Sequence, residues 1–215
     1  AGPLERLTDH PVVIGFLNEF LAHPHLSSPD CYGFRMEGAN LAYRSVDEPG
    51  IFHPHNGGGM FRFANDSHHY QSIPGKSFSG LTRFVWELTP VKKGQGGTLL
   101  GTGSHKAAYP APQSAWDSGS DFWDTYACPA GSLMVFTEGL AHSTSPWTNA
   151  DNDRVAIFTL YNSVGSRWSR WQPPEELVAQ MPARRQTLFR GTYVGGNLPG
   201  YEYVGQNQKD RVPSG

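Results

Sequence analysis

The sequence predicts a mainly β protein, a sandwich or jelly roll with a few peripheral helices. Three observations predict it. Aromatic residues are abundant (6 Trp, 9 Tyr, 12 Phe), and 25 Gly with 17 Pro supply many turns, a mix that suits short strands joined by tight connections. Several segments alternate apolar and polar residues with period two, as half-buried strands do. One N-terminal stretch alone has clear helical spacing.

That stretch is "TDHPVVIGFLNEFLAH", a helix over 9–22. Asp9 is its expected cap and Pro11 suits its first turn. Val12, Val13, Phe16, Leu17, Phe20 and Leu21 share one face. "HPHLSSPD" then breaks the helix, and His10, His23 and His25 read as surface or capping residues. "CYGFRME" and "NLAYRSV" alternate weakly and read as strands. "GLTRFVWELTPV" (80–91) alternates strongly, with Thr82, Phe84, Trp86 and Leu88 on one face and Arg83, Val85 and Glu87 on the other. "KKGQGG" is a turn. "TLLGTGSHK" is a short strand running into a Gly-Ser turn. "GSLMVFTEGLAHS" (131–143) and "RVAIFTLYN" (154–162) are two more strands. A short helix opens at Pro173 or Pro174, and the tail from Gly191 is irregular. Many short strands separated by turn signals indicate a sandwich or jelly roll.

A chain of 215 residues is long enough for one substantial core. No repeat or linker divides it, so the expectation is a single domain over 1–215: a helix at 9–22, core strands over about 31–162 and an irregular extension over 163–215. The net charge of −2 advertises no polyanion-binding surface, so nucleic acid is not an expected partner. Two cysteines, Cys31 and Cys128, are too few for a disulfide framework, and a reducing, cytoplasmic setting is the simpler reading. No apolar run has the length of a membrane span, and the first residues lack a signal-peptide core.

Histidine is unevenly distributed. Four of the nine fall within "HPHNGGGMFRFANDSHHY" (53–70). Further on, His142 ends one expected strand and Arg154 begins the next, with Pro146 and a polar run between them. If those two strands pair, Arg154 returns close to His142. A histidine and an arginine side by side would serve a metal and an anionic ligand, because the guanidinium fork matches a carboxylate in a bidentate way. Thr144 is placed to donate to the same carboxylate. The plain alternative is a turn histidine and a surface arginine.

"GQGGTLLGTGSHK", followed by "PAGSLMVFTEGLAHSTSPW" and "DRVAIFTLYN", resembles the phytanoyl-CoA dioxygenase family. Gly103-Ser104-His105-Lys106, Ala130-Gly131-Ser132, His142 and Arg154 fill the family's ordered pattern. The likeness covers residues 80–162 well and 50–80 loosely. It implies a double-stranded β-helix, the jelly-roll or cupin-like fold. It also implies Fe(II) and 2-oxoglutarate as cofactors and a small-molecule substrate. His142 would be the distal metal ligand, and Arg154, helped by Thr144, would hold the 2-oxoglutarate carboxylate. His105, in its turn, reads as structural.

The family's other two ligands form a His-x-Asp pair, which with the distal histidine makes a two-His, one-carboxylate triad. No histidine in this chain is followed two places on by Asp or Glu. His55 is the favoured ligand. "HNGGG" resembles an "HGGG" stretch in a bacterial and algal branch of the superfamily, which also carries "FTEALTHGTLPW", close to "FTEGLAHSTSPW" here. His69 is the second choice, and His53 and His68 are not expected to ligate. For the third position, water or halide, Asp66 and Glu138 stay open. Glu138 would share a face with His142 on an undistorted strand, either as a ligand or as a partner orienting a histidine. Trp86, Phe84, Trp147 and Arg83 are candidates for lining the pocket. The leading reading is therefore a non-haem oxygenase. Its rivals are a catalytically silent jelly-roll binding domain and a cupin-like metalloenzyme that does not use 2-oxoglutarate.

Overall fold

A computed structural model describes residues 2–23, 26–56, 70–107 and 110–193. It is mainly β. Among the described residues, the helix α1 (Pro11–Phe20) precedes eight strands: β1 (Phe34–Arg44), β2 (Gln71–Ile73), β3 (Lys76–Phe78), β4 (Thr82–Glu87), β5 (Gly97–Leu100), β6 (Ser132–Thr137), β7 (His142–Ser145) and β8 (Arg154–Ser163). Two short helices follow, α2 (Glu175–Ala179) and α3 (Ala183–Gln186). The strands form one four-stranded sheet in the order β1-β8-β4-β6 and two pairs, β2–β3 and β5–β7. Among the described residues, no helix is long and apolar enough to cross a membrane. Both cysteines are free thiols.

Several elements differ from the sequence reading. α1 is capped by His10, not Asp9: the His10 Nδ1 accepts from the Val12 N–H at 3.3 Å, and the Asp9 carboxylate is drawn off by Arg185 at 2.8 Å. Val13, Leu17 and Leu21 are buried, whereas Val12 is 59% exposed, so the apolar stripe is narrower than expected. The two weak strands before residue 50 are one continuous strand, β1. Residues 131–143 do not form one strand: β6 stops at Thr137 and β7 starts at His142. β7 and β8 do not pair either. β7 partners β5, while β8 lies between β1 and β4.

The chain divides into two compact units, with β1 and β8 each contributing residues to both. The first comprises Ala1–Gly38, Ser72–Phe78 and Leu160–Gly215. Its polar centre is Glu37, 1% exposed. The Glu37 carboxylate accepts from Arg35 Nη1 (2.6 Å), Asn162 Nδ2 (3.3 Å) and the backbone N–H groups of Trp168 (3.1 Å) and Ser169 (3.2 Å). A buried carboxylate is tolerated when it is paired and its lone pairs are filled.

The second unit comprises Ala39–Gln71 and Ser79–Thr159 and contains most of the candidate chemistry. β4 and β6 pair antiparallel from Thr82↔Thr137 to Glu87↔Ser132. β5 and β7 pair antiparallel from Gly97↔Ser145 to Leu100↔His142. Alternation along the second pair separates two clusters. Leu99 and Ala141 pack with Ala115 and Trp123. Leu100 instead packs against Val85, Phe136, Leu140 and Ala156. His142, directly opposite Leu100, leaves the ladder on that second side, its ring centroid 4.8 Å from that of Phe136.

Candidate metal centre

The centre is assembled by backbone geometry. His55 and His142 form an isolated antiparallel bridge, with His55 N donating to His142 O at 3.0 Å and His142 N to His55 O at 2.8 Å. Directly opposed residues project to the same face, and the two imidazole centroids lie 4.2 Å apart. Each ring is also tethered through Nδ1. His55 Nδ1 lies 2.8 Å from the His53 carbonyl, and His142 Nδ1 lies 2.7 Å from the Leu140 carbonyl. A carbonyl only accepts, so both Nδ1 atoms carry the proton and both Nε2 lone pairs are left for a ligand.

Glu138 reaches the same point by a turn rather than by strand alternation. Thr137 ends β6: its backbone carbonyl accepts from Leu140 N (2.9 Å) and its Oγ1 accepts from Gly139 N (3.2 Å). Leu81 O accepts from Glu138 N at 2.7 Å. This turn brings Glu138 Oε2 to 3.6 Å from His142 Nε2. The other carboxylate oxygen, Oε1, accepts from Arg83 Nε. One donor atom from each of His55, Glu138 and His142 lies within 4.8 Å of the other two. Among the described residues this is the cluster of histidine, cysteine and carboxylate groups that would suit a metal ion.

The electrostatics agree with the donor count. Burial pushes His142 down to about 4, against the pull of the Glu138 carboxylate, so the imidazole is neutral near pH 7. For Glu138, burial acts upward, but His142 and Arg83 outweigh it and hold the carboxyl below its usual range. Two imidazoles and one carboxylate, with Glu138 and His142 buried and His55 partly so, form a mixed N/O donor set. The turn carrying Gly103-Ser104-His105-Lys106 supports them: Ser104 Oγ accepts from Ala141 N at 2.8 Å, fixing the residue before His142. His105 makes an edge contact with Tyr70, and no ligand role is visible for it. A cavity of about 240 Å³ is lined by Asn56 and Ala141, the sequence neighbours of His55 and His142, together with Thr102, Ser104 and Phe122, and not by the three candidate ligands themselves.

Arg154 opens β8, 3% exposed. Its guanidinium is engaged by a residue the sequence reading did not single out for this role. Glu87, fully buried at the end of β4, accepts from Arg154 Nε (3.1 Å) and Nη2 (2.5 Å). Nη2 also lies 3.2 Å from Thr98 Oγ1 and 3.3 Å from the Tyr126 hydroxyl, and that hydroxyl donates to Glu87 Oε1 at 2.6 Å. Burial acts to lower the Arg154 pKa, but the bonds to Glu87 raise it overall. Burial pushes the Tyr126 phenol up. Thr144 sits opposite Thr98 in the β5–β7 ladder, two residues from the His142 register position.

Of the residues singled out from the sequence, the structure brings His55, Glu138 and His142 together. It sets Arg154 against Glu87, with Thr144 opposite its contact Thr98. His53 orients His55 through its carbonyl, and its ring centroid lies 5.8 Å from that of His55. Asp66, His68 and His69 lie outside the described residues. Arg83, Glu87, Thr98, Ser104 and Tyr126 received no such roles from the sequence. One signal was available: charges at 83 and 87 alternate with Val85 along a strong strand, and a charge on a buried strand needs a partner.

The sequence matches no protein-family model and no curated protein. Its fold is shared with solved structures. HygX from Streptomyces hygroscopicus, bound to nickel, 2-oxoglutarate and hygromycin B, is 18% identical, with 80% of this chain and 69% of that one covered at a TM-score of 0.61. The iron-bound form of HygX is 16% identical over 90% and 77% of the two chains, again at 0.61. The nickel complex of the non-haem monooxygenase ThoJ is 14% identical over 97% and 74%, at 0.53.

Proposed function

We propose that this protein is a non-haem Fe(II)/2-oxoglutarate-dependent oxygenase acting on a small organic molecule. In this reading its sheets are those of a double-stranded β-helix, in a divergent branch of the phytanoyl-CoA dioxygenase-like group. The observation that carries the reading is the trio His55, Glu138 and His142, with both imidazoles tethered through Nδ1 and one donor atom of each residue within 4.8 Å of the others. These residues fit the metal: two histidines and one carboxylate hold an iron while leaving positions open. The iron-bound HygX and the nickel complex of ThoJ, which share the fold, support that choice of metal class.

When bound, Fe(II) and 2-oxoglutarate together activate O₂ for oxidation of a C–H bond. The residues of this chain supply geometry and shielding. His53 O and Leu140 O fix the ring orientations, as outer partners of ligating histidines do. Arg83 engages one oxygen of Glu138 and leaves the other toward His142. Arg154, with Thr144 nearby, is the candidate for the distal carboxylate of 2-oxoglutarate. Its Nη1 has no hydrogen-bond partner among the described residues.

The test is anaerobic titration. Protein stripped of metal should take up one equivalent of Fe(II), and 2-oxoglutarate should then produce the weak charge-transfer band of a chelated keto acid. Iron uptake without the band would favour the cupin-like reading. No iron uptake would favour a silent binding domain.

A further inference from the structure

We propose that Glu87 is a built-in occupant of the Arg154 fork: it competes with the distal carboxylate of a 2-oxo acid, and so sets how strongly the site distinguishes 2-oxoglutarate from shorter keto acids. This rests on the oxygenase reading above.

The argument is a count of donors. A guanidinium has five N–H groups, and its strongest anion contact is two parallel bonds to one carboxylate. In Arg154 that edge is filled. Nε and Nη2 are both donated to Glu87. Thr98 Oγ1 and the Tyr126 hydroxyl also lie within reach of Nη2. Nη1 is left to receive a second carboxylate, so an incoming ligand gains one contact atom rather than two unless Glu87 moves.

Charge points the same way. The Arg154–Glu87 pair is formally neutral, so a second anion meets no net positive charge. Glu87 is completely buried, so water screens little of its repulsion toward another carboxylate. Glu87 is also held in place: the Tyr126 hydroxyl donates to the same oxygen that Arg154 Nη2 contacts. Three donated bonds would have to be broken or shared before a ligand carboxylate could take the fork.

The experiment measures binding of 2-oxoglutarate and of pyruvate, which lacks the distal carboxylate, to Mn(II)-loaded protein by calorimetry. Wild type should prefer 2-oxoglutarate only weakly. Glu87→Gln removes the competing charge while keeping the side-chain size, and should raise that preference by about tenfold or more, the scale of like-charge repulsion at a desolvated contact. Tyr126→Phe removes one of the bonds holding Glu87 and should shift the preference in the same direction by less. It keeps the proposal testable should Glu87→Gln fold poorly. An unchanged preference in both variants, or in Tyr126→Phe where Glu87→Gln does not fold, overturns the role given to Glu87 and leaves the oxygenase reading standing. If Mn(II) is retained but neither keto acid binds wild type or variants, both are overturned.

Discussion

His55 and His142 stand 87 positions apart in the chain (142 − 55), yet each donates its backbone N–H to the other's carbonyl. Their imidazoles are therefore spaced by a main-chain ladder, not by side-chain packing. Alanine at either position leaves those two backbone bonds in place. His55→Ala and His142→Ala should each weaken Fe(II) binding by more than the roughly 10- to 100-fold that loss of an outer partner of a ligand costs. Far-ultraviolet circular dichroism should stay unchanged. His53→Ala should bind iron normally, because the bond that orients His55 goes to the His53 carbonyl, which alanine keeps. Metal titration against a competing chelator reads all three.

Among the described residues, the bond from Arg83 to the centre is made to Glu138. Arg83→Gln should therefore lower Fe(II) affinity by about 10- to 100-fold without abolishing stoichiometric binding. Arg83→Lys should recover part of the loss. The diagnostic contrast is with Glu138→Ala, which removes a donor atom and should reduce affinity further than Arg83→Gln does. Equal losses in the two would mean that Glu138 acts only as a partner and does not ligate.

Arg154→Ala should bring 2-oxoglutarate binding down to the level of pyruvate and leave metal affinity largely intact. It should also destabilise the fold, because Glu87 would remain buried without its cation; breaking one side of a buried pair costs about 3–5 kcal/mol. The double variant Arg154→Ala/Glu87→Ala should regain part of that stability. Urea unfolding of the two single variants and the double gives the coupling directly. Strict additivity would mean that the pair does not act as one unit.

Gly96 illustrates a purely steric constraint. Its φ of +123° is unfavourable for any side chain, and an added Cβ would meet Trp147 Cε3 at 2.4 Å and Trp147 Cα at 2.9 Å. Trp147 is 1% exposed and pinned through Nε1 to the Asn152 carbonyl at 2.9 Å. Gly96→Ala should cost about 1–3 kcal/mol or more, the range for overpacking a closed core, read as a lowered urea midpoint with an unchanged slope.

The strands were largely legible in the sequence because period-two patterning is local. β4, β5 and β8 fall close to the segments that alternation marks. His55 and His142 were legible as candidates through motif resemblance. The route by which Glu138 joins them was not. It depends on a turn set by the Thr137 hydroxyl and by the Leu81 carbonyl, a partner 57 positions away (138 − 81). The Arg154–Glu87 pair was hidden for the same reason: its members are 67 positions apart, and sequence alternation tells which face a charge takes but not which charge answers it. The pairing expected between β7 and β8 failed because neighbours in sequence, even with a turn-rich connection, need not be neighbours in a sheet.

Glu37 has a bearing on how the backbone breathes. Its carboxylate accepts the amides of Trp168 and Ser169, which lie in no helix or strand. The Trp168 side chain is nearly half exposed, so by exposure alone this stretch should trade its amide protons with solvent within seconds. Slow exchange follows instead from a bond to a buried acceptor, since opening it would strand a carboxylate that is 1% exposed. In deuterium-exchange mass spectrometry, peptides spanning 166–170 should be protected to a degree approaching that of β1. Glu37→Gln should release them while leaving exchange in β4 and β6 unaltered.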